Sequence, residues 1–209
     1  MRRSKEDAEQ TRRSILDAAE ELFCSQGVAA STLEKISRRA GVTRGALYWH
    51  FKDKSDLMEA LHKRSRPVQV TLMETAAETG HEDPLGFLET AGIEMLVTFE
   101  QDERQQRMFL IMNSHSPDEE GAAWVQRVNA DLFRTLSSLI RRAEANGSLS
   151  PDFSPEEAGV ITLATMQGLL HEWLRSGKGF PLAGLGAKLM VRQIAMLRHG
   201  APKPRGAPG

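Results

Sequence analysis

The stretch that decides the fold is Ser31–Lys54, STLEKISRRAGVTRGALYWHFKDK. Ser31 and Glu34 have the spacing of a capping box, so a helix is expected to begin there. On that helix Leu33, Ile36 and Ala40 share one face, while Glu34, Lys35, Arg38 and Arg39 point elsewhere. Gly41 ends it, because glycine enters the left-handed conformation of a tight turn without steric cost. Thr43 can cap a second helix by accepting a backbone N–H bond, with Val42 and Leu47 turned back toward the first. Arg44, Gly45, Ala46, Tyr48, Trp49 and His50 are left for the outer side. This is the pattern of a helix-turn-helix, whose second helix presents its N-terminal part to base edges in a DNA groove.

Each outward residue then has a chemical reason to be there. Gly45 lets the backbone approach DNA closely, and Arg44 can donate two hydrogen bonds to guanine O6 and N7. Tyr48, His50 and Lys54 suit phosphates, Lys54 lying at the start of the next helix, where backbone N–H groups also favour anions. Ser31, Thr32, Thr43, Ala46 and Trp49 complete the candidate DNA-binding set. A glycine turn between two amphipathic helices also occurs in proteins that never meet DNA.

The run Ala40-Gly41-Val42-Thr43-Arg44-Gly45-Ala46-Leu47-Tyr48-Trp49-His50-Phe51, with Lys54 after it, resembles the TetR/AcrR family of bacterial one-component transcription regulators. Upstream, Thr11-Arg12, Ile15-Leu16, Ala18-Ala19, Leu22-Phe23 and Gly27 fall where that family carries its first helix. Further on, Asp83-Pro84-Leu85-Gly86 and the segment from Gly168-Leu169-Leu170 to Trp173-Leu174 are similar to the multidrug-efflux repressors of the AcrR/TtgR type. The resemblance implies an all-α protein with an N-terminal three-helix helix-turn-helix domain and a C-terminal helical domain for ligand binding and dimerisation. It also implies that the last two helices pack against their symmetry mates and that the inner helices enclose a ligand cavity.

Charge is distributed as such a division requires. Residues 1–66 hold 14 Lys and Arg against 10 Asp and Glu, and the remainder holds 13 against 18. A basic N-terminal part on an acidic body is expected where one end alone faces phosphate, and the modest excess calls for a homodimer presenting two such faces. With 40% hydrophobic residues the 209-residue chain can fill a core. No apolar run is long enough for a bilayer, and Arg2-Arg3 leads into charge instead of a signal-peptide core, so no membrane association and a cytoplasmic location are expected. The single Cys24 rules out an internal disulfide and reads as packing near the end of the first helix.

Helical period dominates and no segment alternates as a half-buried strand does, which predicts about nine helices. Ile15, Ala18, Ala19, Leu22 and Phe23 form the buried face of the first. A long fourth helix is expected from Asp53 to Gly80, carrying Leu57, Leu61, Val68, Leu72 and Met73 and kinked at Pro67. Asp83-Pro84 reads as an N-cap with proline at the first helical position. Helices to Glu100 and from Asp102 to Asn113 follow. Ser116-Pro117-Asp118-Glu119 and Ser154-Pro155-Glu156-Glu157 read as further capping boxes, with a long helix between them ending at Asn146-Gly147. Ser176–Gly179 breaks the pattern before a last helix from Leu182 to Arg198. The domains are thus expected at 1–53 for DNA binding and 54–199 for ligand binding and dimerisation, with 200–209, rich in Gly and Pro, a disordered tail.

The body offers an effector site of small-molecule composition, apolar walls with a few polar groups: Met95, Phe99, Phe109, Asn113, Leu132, Leu136, Leu163, Met166, Gln167, Leu170 and His171. Gln167 and His171 stand one helical turn apart, and the nine methionines of the chain suit a pocket that repacks around varied shapes. The alternative is ordinary helical core, the better account of any single apolar member, with Gln167 and His171 satisfied by water or backbone. On a second face, Val160, Ala164, Gly168 and Trp173, with Leu189, Met190, Ile194 and Leu197 of the last helix, are left for neighbouring helices.

The resulting expectation is a repressor of an efflux-transporter operon, released from palindromic double-stranded operator DNA by a hydrophobic or aromatic effector. The alternatives are control of a metabolic or catabolic operon by a metabolite, or a ligand-free regulator with a filled core. Catalysis is not expected. Cys24 has no recognisable partner, His171-Glu172 lacks the second histidine of a zinc site, and no phosphate-binding glycine loop occurs, so no cofactor or metal is expected.

Overall fold

The structure, a computed structural model, describes residues 5–114 and 122–198. Among the described residues the chain forms ten helices: α1 (Lys5–Ala30), α2 (Leu33–Arg39), α3 (Arg44–His50), α4 (Lys54–Ser65), α5 (Val68–Thr79), α6 (Pro84–Gln101), α7 (Glu103–Asn113), α8 (Ala122–Ala145), α9 (Pro155–Arg175) and α10 (Leu182–Leu197). The capping box expected at Ser116–Glu119 and the tail from residue 200 lie outside the described residues.

Local chemistry sets most boundaries. Asp53, Asp83 and Ser154 each accept the backbone N–H three residues on, and Ser154 with Glu157 completes a capping box. Each such cap contributes about 1 kcal/mol. Pro181 has no side chain to cap α10, and Glu100 does it from α6, accepting from the N–H groups of Leu182 at 2.7 Å and Ala183 at 3.4 Å. At the other polarity, the Arg142 guanidinium donates to the carbonyls of Ala77 and Glu78 at the end of α5, where a cation meets the negative helix end.

The expected long fourth helix is two helices, which accounts for ten where about nine were expected. Pro67 does not kink a continuous rod. The helical region is disfavoured for the residue before a proline, and Arg66 sits at φ −65°, ψ 124°, so α4 stops and α5 begins beyond the ring.

The helices group into two units, residues 1–66 with 103–128, and residues 67–102 with 129–209. In the first, Ile15, Leu16 and Phe23 of α1 meet Ile36, Leu47, Leu57, Met58 and Leu61, all at most 2% exposed, with Met108, Ile111 and Trp124 closing the same cluster. Fully burying each large side chain is worth roughly 1.5–3 kcal/mol. The packing boundary therefore falls at Arg66, beyond the residue-53 limit read from the sequence, since α4 supplies Leu57, Met58 and Leu61 to this core and α7 joins from far along the chain.

The second unit packs Leu85 and Leu88 of α6 with Leu136, Leu139 and Ile140 of α8 and Ile194 and Leu197 of α10. Here α6 and α10 cross closely. A Cβ on Gly186 would stand 2.4 Å from Leu96 Cδ1, and one on Gly92 would meet Met190 and Met166. Trp173, grouped by the sequence with Val160, Ala164 and Gly168 on a second face for neighbouring helices, is buried, its indole N–H donating to the Phe180 carbonyl at 2.9 Å. Met190, Ile194 and Leu197 are likewise interior, whereas Val160, Ala164 and Gly168 of α9 and Leu189 of α10 are exposed.

Candidate nucleic-acid interface

The turn between α2 and α3 is built from a short list of backbone bonds. α2 closes at Ala40, Gly41 takes φ +68°, and the Val42 N–H returns to the Ser37 carbonyl at 3.0 Å. Thr43 Oγ1 then accepts from the Ala46 N–H at 3.1 Å and starts α3. The cap of α2 is one residue later than the Ser31–Glu34 spacing predicts. Thr32 Oγ1 accepts from Lys35 N–H, whereas Ser31 is fully buried and donates to the Gly27 carbonyl at 2.7 Å. Gly27 sits at φ +82°, so the chain turns out of α1 there and the serine hydroxyl is spent holding that bend.

One side of α3 is anchored and the other is open. Leu47 is fully buried, while Arg44 and Gly45 are exposed, Tyr48 is 48% exposed and Trp49 73%. A Cβ on Gly45 would touch nothing within 4 Å, so the surface beside it is clear. Ala46 and His50 are half-buried, the His50 ring edge-on to Trp49 at 4.5 Å. Lys54 is also half-buried and its Nζ donates to the Val28 carbonyl at 3.1 Å, tying the start of α4 to the bend after α1. Thr32 and Thr43 are exposed caps, and of the predicted DNA-binding set Ser31 alone is fully interior.

The electrostatics of this unit sort by position. Arg39 holds Glu21 through both its Nε and Nη2, and Arg38 holds Glu34 at 3.3 Å. Arg64 is paired with Asp17 at 2.6 Å and with Glu20, and Arg107 with Glu20 and Glu103. Arg44 and Lys52 form no ion pair among the described residues, which leaves uncompensated positive charge at the two ends of α3.

Glu20 was not singled out by its sequence position, although an acid on the apolar stripe of Leu16, Ala19 and Phe23 was the available signal. It is 7% exposed and joins α1 to α4 and α7. Its carboxylate holds the Arg107 guanidinium above the usual arginine range. The same carboxylate, together with partial burial, pushes the Cys24 thiol up to about 11, burial being the larger cause.

The predicted effector residues separate between the two units. Phe109, half-buried, and Asn113, exposed and donating to the Phe109 carbonyl, belong to α7 in the first unit. In the second, Met95 and Leu163 pack on the cluster that contains Leu136, and Met166 reaches toward Gly92. Phe99 meets the Trp173 ring at 6.0 Å, and Leu170 is buried. Leu132 and Gln167 are half-buried, and His171 is exposed, one residue round the helix from Leu170.

The family model described as "Bacterial regulatory proteins, tetR family" matches residues 15–61, from within α1 to within α4. The transcriptional repressor BepR of Brucella suis is 39% identical over 209 residues, covering 98% of this chain and all of the relative. NalD, the secondary repressor of the MexAB-OprM multidrug efflux pump in Pseudomonas aeruginosa, superposes with a TM-score of 0.77 at 31% identity, covering 94% of this chain and 99% of NalD. SmeT of Stenotrophomonas maltophilia, solved as a complex with triclosan, gives 0.76 at 30% identity over 95% of this chain and 99% of SmeT. A helix-turn-helix with an open reading helix, a relative 39% identical along its whole length and the matching model establish that the chain belongs to the tetR family of bacterial regulatory proteins.

Proposed function

We propose that the protein is a ligand-responsive repressor of an efflux-transporter operon that acts in the cytoplasm as a homodimer and carries out no catalysis. The observation that carries this reading is the outward face of α3, with Arg44, Gly45, Tyr48 and Trp49 free of the core that holds Leu47. Arg44 and Gly45 lie at its N-terminal end, where a recognition helix reads bases, and Tyr48, His50 and Lys54 serve the phosphates. The Lys54 bond to Val28 gives that lysine a positioning role as well.

Dimerisation through α9 and α10 is supported by the surface they leave. Val160 is 56% exposed and continues through Ala164 and Gly168 at four-residue spacing, and Leu185, Leu189 and Met196 on α10 are 38–45% exposed. Small residues between apolar ones allow close approach of a second copy, and two-fold pairing places two reading helices in successive major grooves of a palindromic operator. Met95, Leu136, Leu163 and Met166 remain the proposed wall for a hydrophobic or aromatic effector, such as the complex of SmeT with triclosan exemplifies for that protein. Release is proposed to run through α7. It follows α6 across the single residue Asp102 and is fastened to α1 and α4 by Glu20, so a shift of α6 around an effector would strain the unit that carries α3.

The test is a titration of the purified protein with labelled DNA from the region flanking its gene, with and without hydrophobic aromatic compounds. Binding weakened 5–150-fold by a compound that binds α6, α8 and α9 is the range expected of such coupling. Operator affinity unchanged by every compound that binds would sink the effector part. Arg44→Ala is expected to relax preference at particular base pairs; an intact preference would refute the base contact.

A further inference from the structure

The first unit holds one more cation that the reading helix does not account for. The Arg12 guanidinium lies over the Phe51 ring, its carbon 5.2 Å from the centroid. Phe51 is the residue on which α3 ends, and it is 4% exposed, so its ring is a fixed shelf. Through this contact a residue of α1 stands at the C-terminal end of α3, against the ring of the residue that follows His50.

Stacking engages only the face of a guanidinium. Its N–H donors project from the rim in the plane of the group and stay available to a second partner. Three arginines packed around this core have such a partner, Arg39 on Glu21, Arg64 on Asp17 and Glu20, and Arg107 on Glu20 and Glu103. Arg12 forms no ion pair among the described residues. A half-buried arginine, preoriented by an aromatic shelf and with no carboxylate on its donor rim among the described residues, matches an anion that arrives from outside.

We propose that Arg12 is a DNA-phosphate contact made from α1, outside the helix-turn-helix, with Phe51 holding its guanidinium in register. The inference rests on the reading of α3 as the DNA-contacting helix. A phosphate contact carries no sequence information, so Arg12 adds affinity equally to operator and to unrelated duplex.

The experiment is the salt dependence of binding, by fluorescence anisotropy, to the gene-flanking duplex and to a duplex of scrambled sequence. The chains compared are wild type, Arg12→Met, Arg12→Lys and Arg13→Ala. Methionine keeps an apolar stem on Phe51 but removes charge and donors. The slope of log affinity against log salt is expected to shrink by about 0.9 for each protomer bound, hence about 1.8 for a dimer. Between 50 and 200 mM salt the advantage of wild type over Arg12→Met then narrows by roughly twelvefold. Arg12→Lys is expected to keep the slope, and Arg13→Ala to keep most of it. A weakened Arg12→Met with unchanged slope overturns the proposal, as Arg12 would then only fasten α1 to α3. So does an Arg13→Ala slope that falls equally, since diffuse charge would explain both. If Arg12→Met fails to fold, the lysine variant decides: a lost slope there overturns the phosphate contact. Wild type showing no salt-dependent binding to either duplex would instead refute the DNA reading itself.

Discussion

Glu20→Gln isolates the ion cluster that binds α1, α4 and α7. The Glu20 side chain is 10% exposed and receives both Arg64 and Arg107, whose side chains are 18% and 38% exposed. Removing one partner of a fully buried pair costs about 3–5 kcal/mol, because the other charge is stranded. Here each arginine keeps a second acid, Asp17 for Arg64 and Glu103 for Arg107, and Arg107 is partly in water. These fallbacks bring the expected loss to about 2 kcal/mol, which for a chain of this size lowers Tm by about 4–8 °C. The comparison variant is Glu21→Gln, whose pairing with Arg39 is more than half exposed on both sides and worth about 0–1 kcal/mol. Both are followed by thermal circular dichroism at low and high salt. The Glu20 deficit is expected to persist in high salt, where the Glu21 deficit vanishes, since buried charges are poorly screened. A Glu20→Gln chain that melts with wild type, or whose deficit disappears with salt, would refute the claim that this carboxylate clamps the three helices.

Gly186→Ala would set a Cβ 2.4 Å from Leu96, itself fully buried, so overpacking of about 1–3 kcal/mol is expected; a Tm equal to wild type would show that α6 and α10 can part at no cost. Gly168→Ala meets open space and gains helix propensity of about 1 kcal/mol, yet it is expected to weaken the dimer in sedimentation, and an unaltered dimer would argue against the α9–α10 face. Cys24, raised from 9.0 to about 11, holds about a hundredfold less thiolate near pH 8 than an ordinary thiol, so iodoacetamide is expected to label it correspondingly slowly despite its exposure. Labelling at the rate of a free cysteine peptide would mean that Glu20 and burial do not act on it. His62, edge-on to Trp124, has its pKa lowered from 6.5 by burial and then by the Arg66 charge. The unfolded chain therefore binds the proton more readily, and stability is lost as pH falls from about 6.5 through the folded value; a His62→Leu chain that loses as much stability on acidification as wild type would exclude this residue as the cause.

Boundaries written in a few neighbouring residues were legible before any packing was known. The Thr43 cap, the Gly41 turn, Asp83-Pro84 and the Ser154–Glu157 box each depend on bonds that close within four residues, and each appears where its spacing indicates. Where two neighbours could serve equally, the choice was tertiary. Ser31 and Thr32 are both competent caps, and the bend at Gly27 takes Ser31 into the interior and leaves Thr32 to α2.

The effector residues show the same division over longer range. Periodicity put Gln167 and His171 beside one apolar stripe, but 100° per residue is too coarse to say which flank of the stripe meets a neighbour, and His171 came to lie on the exposed side.

By itself, the sequence determined the all-α class, the reading helix and the family, because these rest on local hydrogen bonds and on a motif confined to residues 31–54. Only the tertiary structure decided that α4 ends at Ser65, that α7 returns to pack with α1 and α4, and that Glu20 and Arg12 have their partners in Arg64, Arg107 and Phe51. Those contacts join residues 39 to 87 positions apart, and nothing in the spacing of a single chain specifies which distant charge or ring a buried group will find.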